Sequence, residues 1–142
     1  MPVVRRKAII PYTPSQIYSL VNDVSQYPNF LPWCNRVEIL GHDHHYMKAR
    51  VFITQGIFKY SFTTMNYLTP HDTVQMALVE GPFKSLKGLW QFKELNSGTE
   101  VSFFLDFEFA SKWMELMLGP IFNQITDTMI GTFLKRAHEL YG

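Results

Sequence analysis

Between residues 101 and 110, Val101, Phe103, Leu105, Phe107 and Phe109 alternate with Ser102, Phe104, Asp106, Glu108 and Ala110. A period of two puts each set on its own side of a strand, so one side of this strand is wholly aromatic and aliphatic. The period then changes. Ile121, Phe122, Ile125, Met129, Ile130, Phe133, Leu134, Ala137, Leu140 and Tyr141 recur at helical spacing to the end of the sequence. Ser111 is a fitting cap for a helix that starts near Lys112. Such a helix of roughly 30 residues spans about 45 Å, enough to cross a whole sheet. Pro120 lacks the amide that would bond back to Leu116, which predicts a kink there.

Upstream, residues 3–11 read as a strand that ends at Pro11. Thr13 and Pro14 then form an N-cap and first helical position, and Ile17, Leu20, Val21 and Val24 share one helical side. The segment Tyr27-Pro-Asn-Phe-Leu-Pro-Trp33 carries two prolines and predicts a short helical turn, then a loop rich in large apolar side chains. From Asn35 to Ala110, turn residues fall at Gly41-His42-Asp43, near Gln55-Gly56, at Pro70-His71-Asp72, at Gly81-Pro82 and at Asn96-Ser97-Gly98. That spacing predicts six further strands joined as hairpins. The order is strand, two helical segments, six strands, long helix. It predicts an α+β helix-grip fold over residues 1–142 as one domain: a curved antiparallel sheet of about seven strands wrapped around a long C-terminal helix.

On this reading the inward strand positions are Val37, Ile39, Ala49, Val51, Phe58, Tyr60, Phe62, Met76, Leu78, Leu86, Trp90 and Phe92, with the odd-numbered side of the last strand. Trp113, Leu116 and Met117 face them, with Ile121 and Ile125 further along. These residues either fill a solid core or line a cavity for a ligand, and periodicity does not separate the two. For a cavity, the candidate ligand contacts are Phe62, Met76, Leu78, Trp90, Phe103, Leu105 and Phe107 on the sheet, and Trp113, Met117 and Ile121 on the helix. Phe30, Leu31 and Trp33 in the proline-bounded loop, and Phe83 beside Gly81-Pro82, are candidate rims. Large aromatics and adaptable methionines suit a flat or chain-like apolar molecule.

Composition narrows the function. The 142 residues can bury a real core, and a net charge of +1 gives no global field toward nucleic acid or acidic lipid. Cys34 is the only cysteine, so no intramolecular disulfide is expected and a reducing cytosol is the simplest compartment. The apolar stretch after Arg5-Arg6-Lys7 is too short for a signal-peptide core. Glu115 and Gly119-Pro120 interrupt the most apolar stretch, so no transmembrane segment is expected.

Catalytic chemistry finds little support. No strand is followed by a glycine-rich phosphate loop, and no CxxC occurs. Cys34 lies beside Trp33 and Asn35 with no base, which predicts an inert buried thiol. His42, His44 and His45 cluster around Asp43 at a hairpin tip and read as solvated turn residues, not metal ligands. Asp106 and Glu108 share the strand side opposite the phenylalanines, which exposes them. No catalytic residue, metal or required cofactor is expected. The basic residues form short scattered clusters. Lys84 and Lys87, three apart, cannot share one side of a regular strand, and a basic patch for RNA would need several clusters to converge.

Val21-Asn-Asp-Val24 followed by Tyr27-Pro-x-Phe-Leu-Pro-x-Cys34 resembles the signature near the start of the coenzyme Q-binding, START-like family, which is related to polyketide cyclases. Gly81-Pro-Phe-Lys-x-Leu-x-Gly-x-Trp-x-Phe92 and Asp106-Phe-Glu-Phe109 are similar to its bacterial branch of ribosome association toxins. The resemblance runs from about Val4 to Tyr141 and implies the helix-grip fold. Its functional implication divides. Coenzyme Q-binding members hold ubiquinone or related polyprenyl lipids and support respiration. The toxin branch binds the large ribosomal subunit and blocks its joining to the small one. Aromatase/cyclase relatives share the fold but need polar catalytic groups in the cavity. The leading expectation is a non-enzymatic domain that binds an apolar ligand, foremost ubiquinone or a related polyprenyl lipid, in the cytoplasm or in peripheral contact with the inner membrane. The alternatives are a toxin that binds the large ribosomal subunit through Lys84 and Lys87, and a cyclase-like enzyme.

Overall fold

The first helix starts from two reciprocal hydrogen bonds. Thr13 Oγ1 accepts the Gln16 N–H at 3.2 Å, and Gln16 Oε1 accepts the Thr13 N–H at 2.9 Å, with Pro14 in the first turn. Helix α1 (Pro14–Asn22) buries Ile17, Tyr18, Leu20 and Val21. A 3-10 turn (Val24–Asn29) containing Pro28 follows it. The computed structural model describes residues 3–55 and 58–142, and of Gln55 and Phe58 the backbone only. The expected turn at Gln55-Gly56 and the inward side chain of Phe58 lie outside the described residues.

Strand β1 (Val3–Ile10) precedes α1, and β2 (Cys34–His42), β3 (Tyr46–Gln55), β4 (Phe58–Thr69), β5 (Thr73–Glu80), β6 (Phe83–Leu95) and β7 (Gly98–Phe109) come after the turn. They form one antiparallel sheet in the order β1-β7-β6-β5-β4-β3-β2. The meander therefore brings the last strand back beside the first. Between β2 and β3 the chain reverses at Asp43, whose carboxylate accepts the N–H groups of His45 (2.7 Å) and Tyr46 (3.1 Å). Those two bonds hold its pKa below the ordinary aspartate value, the His45 bond first.

Helix α2 (Lys112–Tyr141) packs on the inner side of the sheet from Met114 to Ala137. Ser111 Oγ accepts the Met114 N–H at 3.2 Å, as its cap position predicts. The helix continues through Pro120, so one lost backbone bond does not end it. No helix among the described residues is long and apolar enough to cross a membrane. The main core joins the inner side of β6 and β7 (Phe83, Leu86, Trp90, Phe92, Val101, Phe103, Leu105, Phe107) to Phe122, Phe133 and Ala137 of α2.

Three expected inward residues are exposed. Trp113 is 64% and Leu116 74% exposed. The helix phase fixed by Ile121, Phe122 and Ile125 extends back through Leu118 to Met114, which pack together against Ile53 and Trp33. Trp113 and Leu116 fall on the opposite side. Ile39 stands opposite Ala49 in register, but β2 is the sheet edge and bulges between Ile39 and Gly41, leaving Ile39 41% exposed.

Candidate functional site

The inner side of the sheet and helix α2 do not fill all the space between them. A cavity of about 100 Å³ remains. Alternation on the strands aims Ala49, Val51 and Ile53 of β3, Phe62, Thr64 and Asn66 of β4, Met76 of β5, Leu86 and Trp90 of β6, and Phe103 and Leu105 of β7 at it. Helical spacing brings Phe122, Ile125, Thr126, Met129 and Phe133 from the other side, and Val24, Tyr27, Leu31 and Trp33 close it from the α1–β2 connection.

Of the residues singled out from sequence, Leu31, Trp33, Phe62, Met76, Trp90, Phe103 and Leu105 meet at this cavity. The others lie elsewhere. Phe83 and Phe107 belong to a solid aromatic block with Phe109 and Phe122, with centroid separations from 4.7 Å (Phe107–Phe122) to 6.3 Å (Phe83–Phe107). Phe30 packs edge-on against Phe133 at 5.3 Å, under the Arg136 guanidinium at 5.3 Å, and borders a surface groove with Pro32, Thr128 and Lys135. Leu78 is half-buried against the core without lining the cavity. Ile121 faces a second void, of about 140 Å³, beside Trp33 and Gln124. Met117 is half-buried and Trp113 is in solvent, both off the inward side of the helix.

Three buried polar residues in the wall were not anticipated. Thr64 Oγ1 donates to Asn66 Oδ1 at 2.9 Å, and Thr126 Oγ1 donates to the Asn123 carbonyl at 3.0 Å. Thr64 and Asn66 share the parity of Phe62, so strand alternation alone carried the signal; polar residues on a strand read too readily as solvent-facing. Asn66 stands opposite Met76, and Met76 opposite Gly88. A Cβ at Gly88 would lie 2.3 Å from Met76 Cε and 3.2 Å from Leu105 Cδ1, so the glycine gives the methionine its place in the wall. The result is an apolar hole with a few hydrogen-bonding atoms at one side. Its volume resembles a hole that admits a single benzene-sized ring, and it is well below the range of roughly 300–1,000 Å³ for larger ligands.

Titratable chemistry at the cavity is limited. Tyr27 is the only titratable residue among the described residues that line it. Its hydroxyl donates to the Val21 carbonyl, and burial raises its pKa well above the ordinary tyrosine range. Cys34 is buried nearby, with Sγ donating to the Arg36 carbonyl at 3.6 Å. Burial pushes its thiol up to about 11, against a smaller opposing effect of that hydrogen bond. At pH 8 the folded protein is therefore expected to react with Ellman's reagent at least about a hundredfold more slowly than the urea-unfolded chain, because the thiolate is the reactive form. Equal rates would mean that Cys34 meets solvent as a normal thiol. Among the described residues, no three His, Cys, Asp or Glu side chains stand where they could hold a metal ion.

The two lysines singled out from sequence come out differently from expectation. A bulge between Phe83 and Ser85 breaks the alternation of β6, so Phe83 and Leu86 both face inward. Lys84 and Lys87 consequently both face outward. Lys84 Nζ lies 3.6 Å from Glu108 Oε2, and Lys87 stands opposite Asp106 in register.

Comparison with known proteins agrees with this architecture. The family model for polyketide cyclase / dehydrase and lipid transport matches residues 10–134. The ribosome association toxin RatA of Pseudomonas aeruginosa is 39% identical over 140 residues, covering 98% of this chain and 97% of that protein. The mitochondrial coenzyme Q-binding protein COQ10 of Dictyostelium discoideum is 28% identical over 138 residues, covering 94% of this chain and 67% of that protein. The crystal structure of the Zhui aromatase/cyclase from Streptomyces sp. R1128 superposes with a TM-score of 0.85 at 17% identity, covering 96% of this chain and 93% of that one.

Proposed function

The chain belongs to the polyketide cyclase / dehydrase and lipid transport family, START-like in fold and in the branch of the ribosome association toxins, and we propose that it binds the large ribosomal subunit and blocks its joining to the small one. The observation that carries this reading is end-to-end similarity to RatA. The match to COQ10 is weaker and leaves a third of that protein outside it. The cavity supports the same order. A polyprenyl quinone needs more room than this cavity of about 100 Å³ and the neighbouring void of about 140 Å³ supply together, so holding one would require α2 or the Phe30–Trp33 loop to move outward. The quinone reading therefore ranks second, supported by the similarity to COQ10. What favours a ligand of some kind is the polar set Thr64, Asn66 and Thr126, which suits a single apolar ring bearing one carbonyl or hydroxyl. A cyclase would need an acid–base pair, and Tyr27, held neutral by burial, has no titratable partner in the wall. On its similarity to the ribosome association toxins, we read the protein as a non-enzymatic binding protein of the cytoplasm.

Two measurements test this. Added to ribosomes, the purified protein is expected to lower the assembled peak of a sucrose gradient and raise the free-subunit peaks. An unchanged profile at saturating protein removes the ribosome reading. Mass spectrometry of solvent extracts from the purified protein is expected to yield no stoichiometric polyprenyl quinone; finding one would reverse the order of the two readings.

A further inference from the structure

The net charge of +1 conceals a separation of charge. Lateral register and alternating burial place nine of the thirteen basic side chains, but only five of the twelve acidic ones, on the outer side of the sheet. All of these lie among the described residues. Lys7, Arg36, Arg50 and Lys84 there are ion-paired with Glu100, Glu38, Glu80 and Glu108. The remaining five cations, chief among them Arg5, Lys48, Lys87 and Lys93, share the face with a single unpaired acid, Asp106. The rest of the molecule, mainly helices and turns, holds the other four basic and seven acidic residues and is net negative.

Aromatic surface is interleaved with those cations. Arg5, Phe104, Leu89, Gln75, Tyr67 and Tyr46 stand in one lateral row across six strands. The Arg5 guanidinium lies 4.6 Å from the Phe104 ring centroid, and Tyr67 is 52% exposed. The neighbouring row runs Asp106, Lys87, Ala77, Met65, Lys48. Lys87 and Lys48 are three strands apart, about 14 Å at normal strand spacing. We infer that this outer sheet face binds an unpaired segment of ribosomal RNA, with phosphates on the unpaired cations and bases stacked on Tyr67 and on the Arg5–Phe104 pair. A sheet that offers aromatic and guanidinium planes between cations can read splayed bases, which duplex RNA does not present. The remainder of the molecule, with seven acidic residues against four basic ones, attracts phosphate less than this face does and so orients the molecule. The inference rests on the ribosome reading and assigns its surface.

The test measures binding to purified large subunits by co-sedimentation, and to their deproteinised RNA by fluorescence anisotropy, across a salt series. Lys48→Glu with Lys87→Glu is expected to weaken both at least about tenfold and to flatten the slope of log K against log salt by about 1.4, since each phosphate contact to a single strand contributes about 0.7. Lys48→Arg with Lys87→Arg should bind as the parent does. Tyr67→Ala should weaken binding about tenfold with the slope unchanged, as loss of stacking would. Unchanged melting temperatures show that the variants are folded. Parent-like binding by the double glutamate variant overturns the face and leaves the ribosome reading intact. Binding to subunits but not to their RNA makes a ribosomal protein the partner, and binding only to phosphatidylglycerol vesicles makes it a lipid surface; either overturns the inference. If the parent binds no subunits, the ribosome reading falls and the inference with it.

Discussion

Phe107→Ala is expected to lower the free energy of unfolding by about 3–5 kcal/mol, the usual cost of truncating a buried phenylalanine. For a chain of this size that is a fall of roughly 10–15 °C in melting temperature. Phe107 is 1% exposed. Its ring meets Phe122 of α2 edge-on at 4.7 Å, Phe109 at 5.6 Å and Phe83 at 6.3 Å. Those neighbours also hold one another, Phe83 stacking on Phe109 at 5.2 Å and tilting against Phe122 at 5.2 Å. None can move into the vacated space without breaking a second contact, so the hole stays open and the loss should sit at the high end. Sequence periodicity places Phe107 among ligand contacts, but in the fold it belongs to the block beside the cavity. Its truncation is therefore a test of stability and not of ligand affinity. Trp113→Ala, at an exposed position, should change stability by no more than about 0.5 kcal/mol. A Phe107→Ala loss under about 1 kcal/mol in urea titration would mean that the block repacks freely.

The contrast between those two aromatics shows what was legible in the sequence. Elements were legible because each is punctuated by chemistry that acts locally: Thr13-Pro14 and Ser111 at helix starts, and Asp72, Gly81 and Gly98 at or beside hairpin turns. Strand β7 was legible residue by residue, because every second position from Val101 to Phe109 is large and apolar, with Phe104 the one ring on the other side. The phase of α2 between residues 112 and 118 was not. Trp113, Met114, Leu116, Met117 and Leu118 are all apolar, and only the position of Ile53 on the sheet and of Trp33 in the α1–β2 connection decides that Met114 and Leu118 turn inward. The bulge in β6 was half legible: Phe83-Lys-Ser-Leu86 puts two large apolar residues three apart, which a regular strand cannot bury on one side. The cavity itself was not legible. It is a small difference between the volume enclosed and the volume of many side chains, and no pattern along the chain carries that difference.

The corner where β7 closes against β1 tolerates as little change as the aromatic block. Gly98→Ala is expected to destabilise by about 3 kcal/mol or more, from backbone strain compounded by a clash with backbone. Gly98 opens β7 at φ +145, and a Cβ there would lie 2.0 Å from the Ile10 carbonyl oxygen and 3.1 Å from Pro11 Cα. No side-chain rotation relieves that contact, so the end of β1 must move. The residues around this corner form a latch. Thr99 Oγ1 donates to the Tyr12 carbonyl, the Tyr12 hydroxyl is hydrogen-bonded to His138 Nδ1, and the Tyr141 hydroxyl donates to the Gln16 carbonyl. Displacing Ile10 thus loosens the turn that pins the last two turns of α2, the helix whose Phe133 walls the cavity. Hydrogen exchange should accelerate in α1 and in α2 after Phe133 before it does in β3 or β4. The same substitution at Gly131 should act in the opposite direction. No heavy atom lies within 4 Å of a Cβ at Gly131, and alanine in a helix interior is worth about 0.5–1 kcal/mol over glycine. Opposite signs for the two glycines would tie the Gly98 effect to its close approach to β1. A parent-like melt for Gly98→Ala would mean that the β1–α1 corner yields without cost, and that the latch onto His138 is not what holds α2 over the sheet.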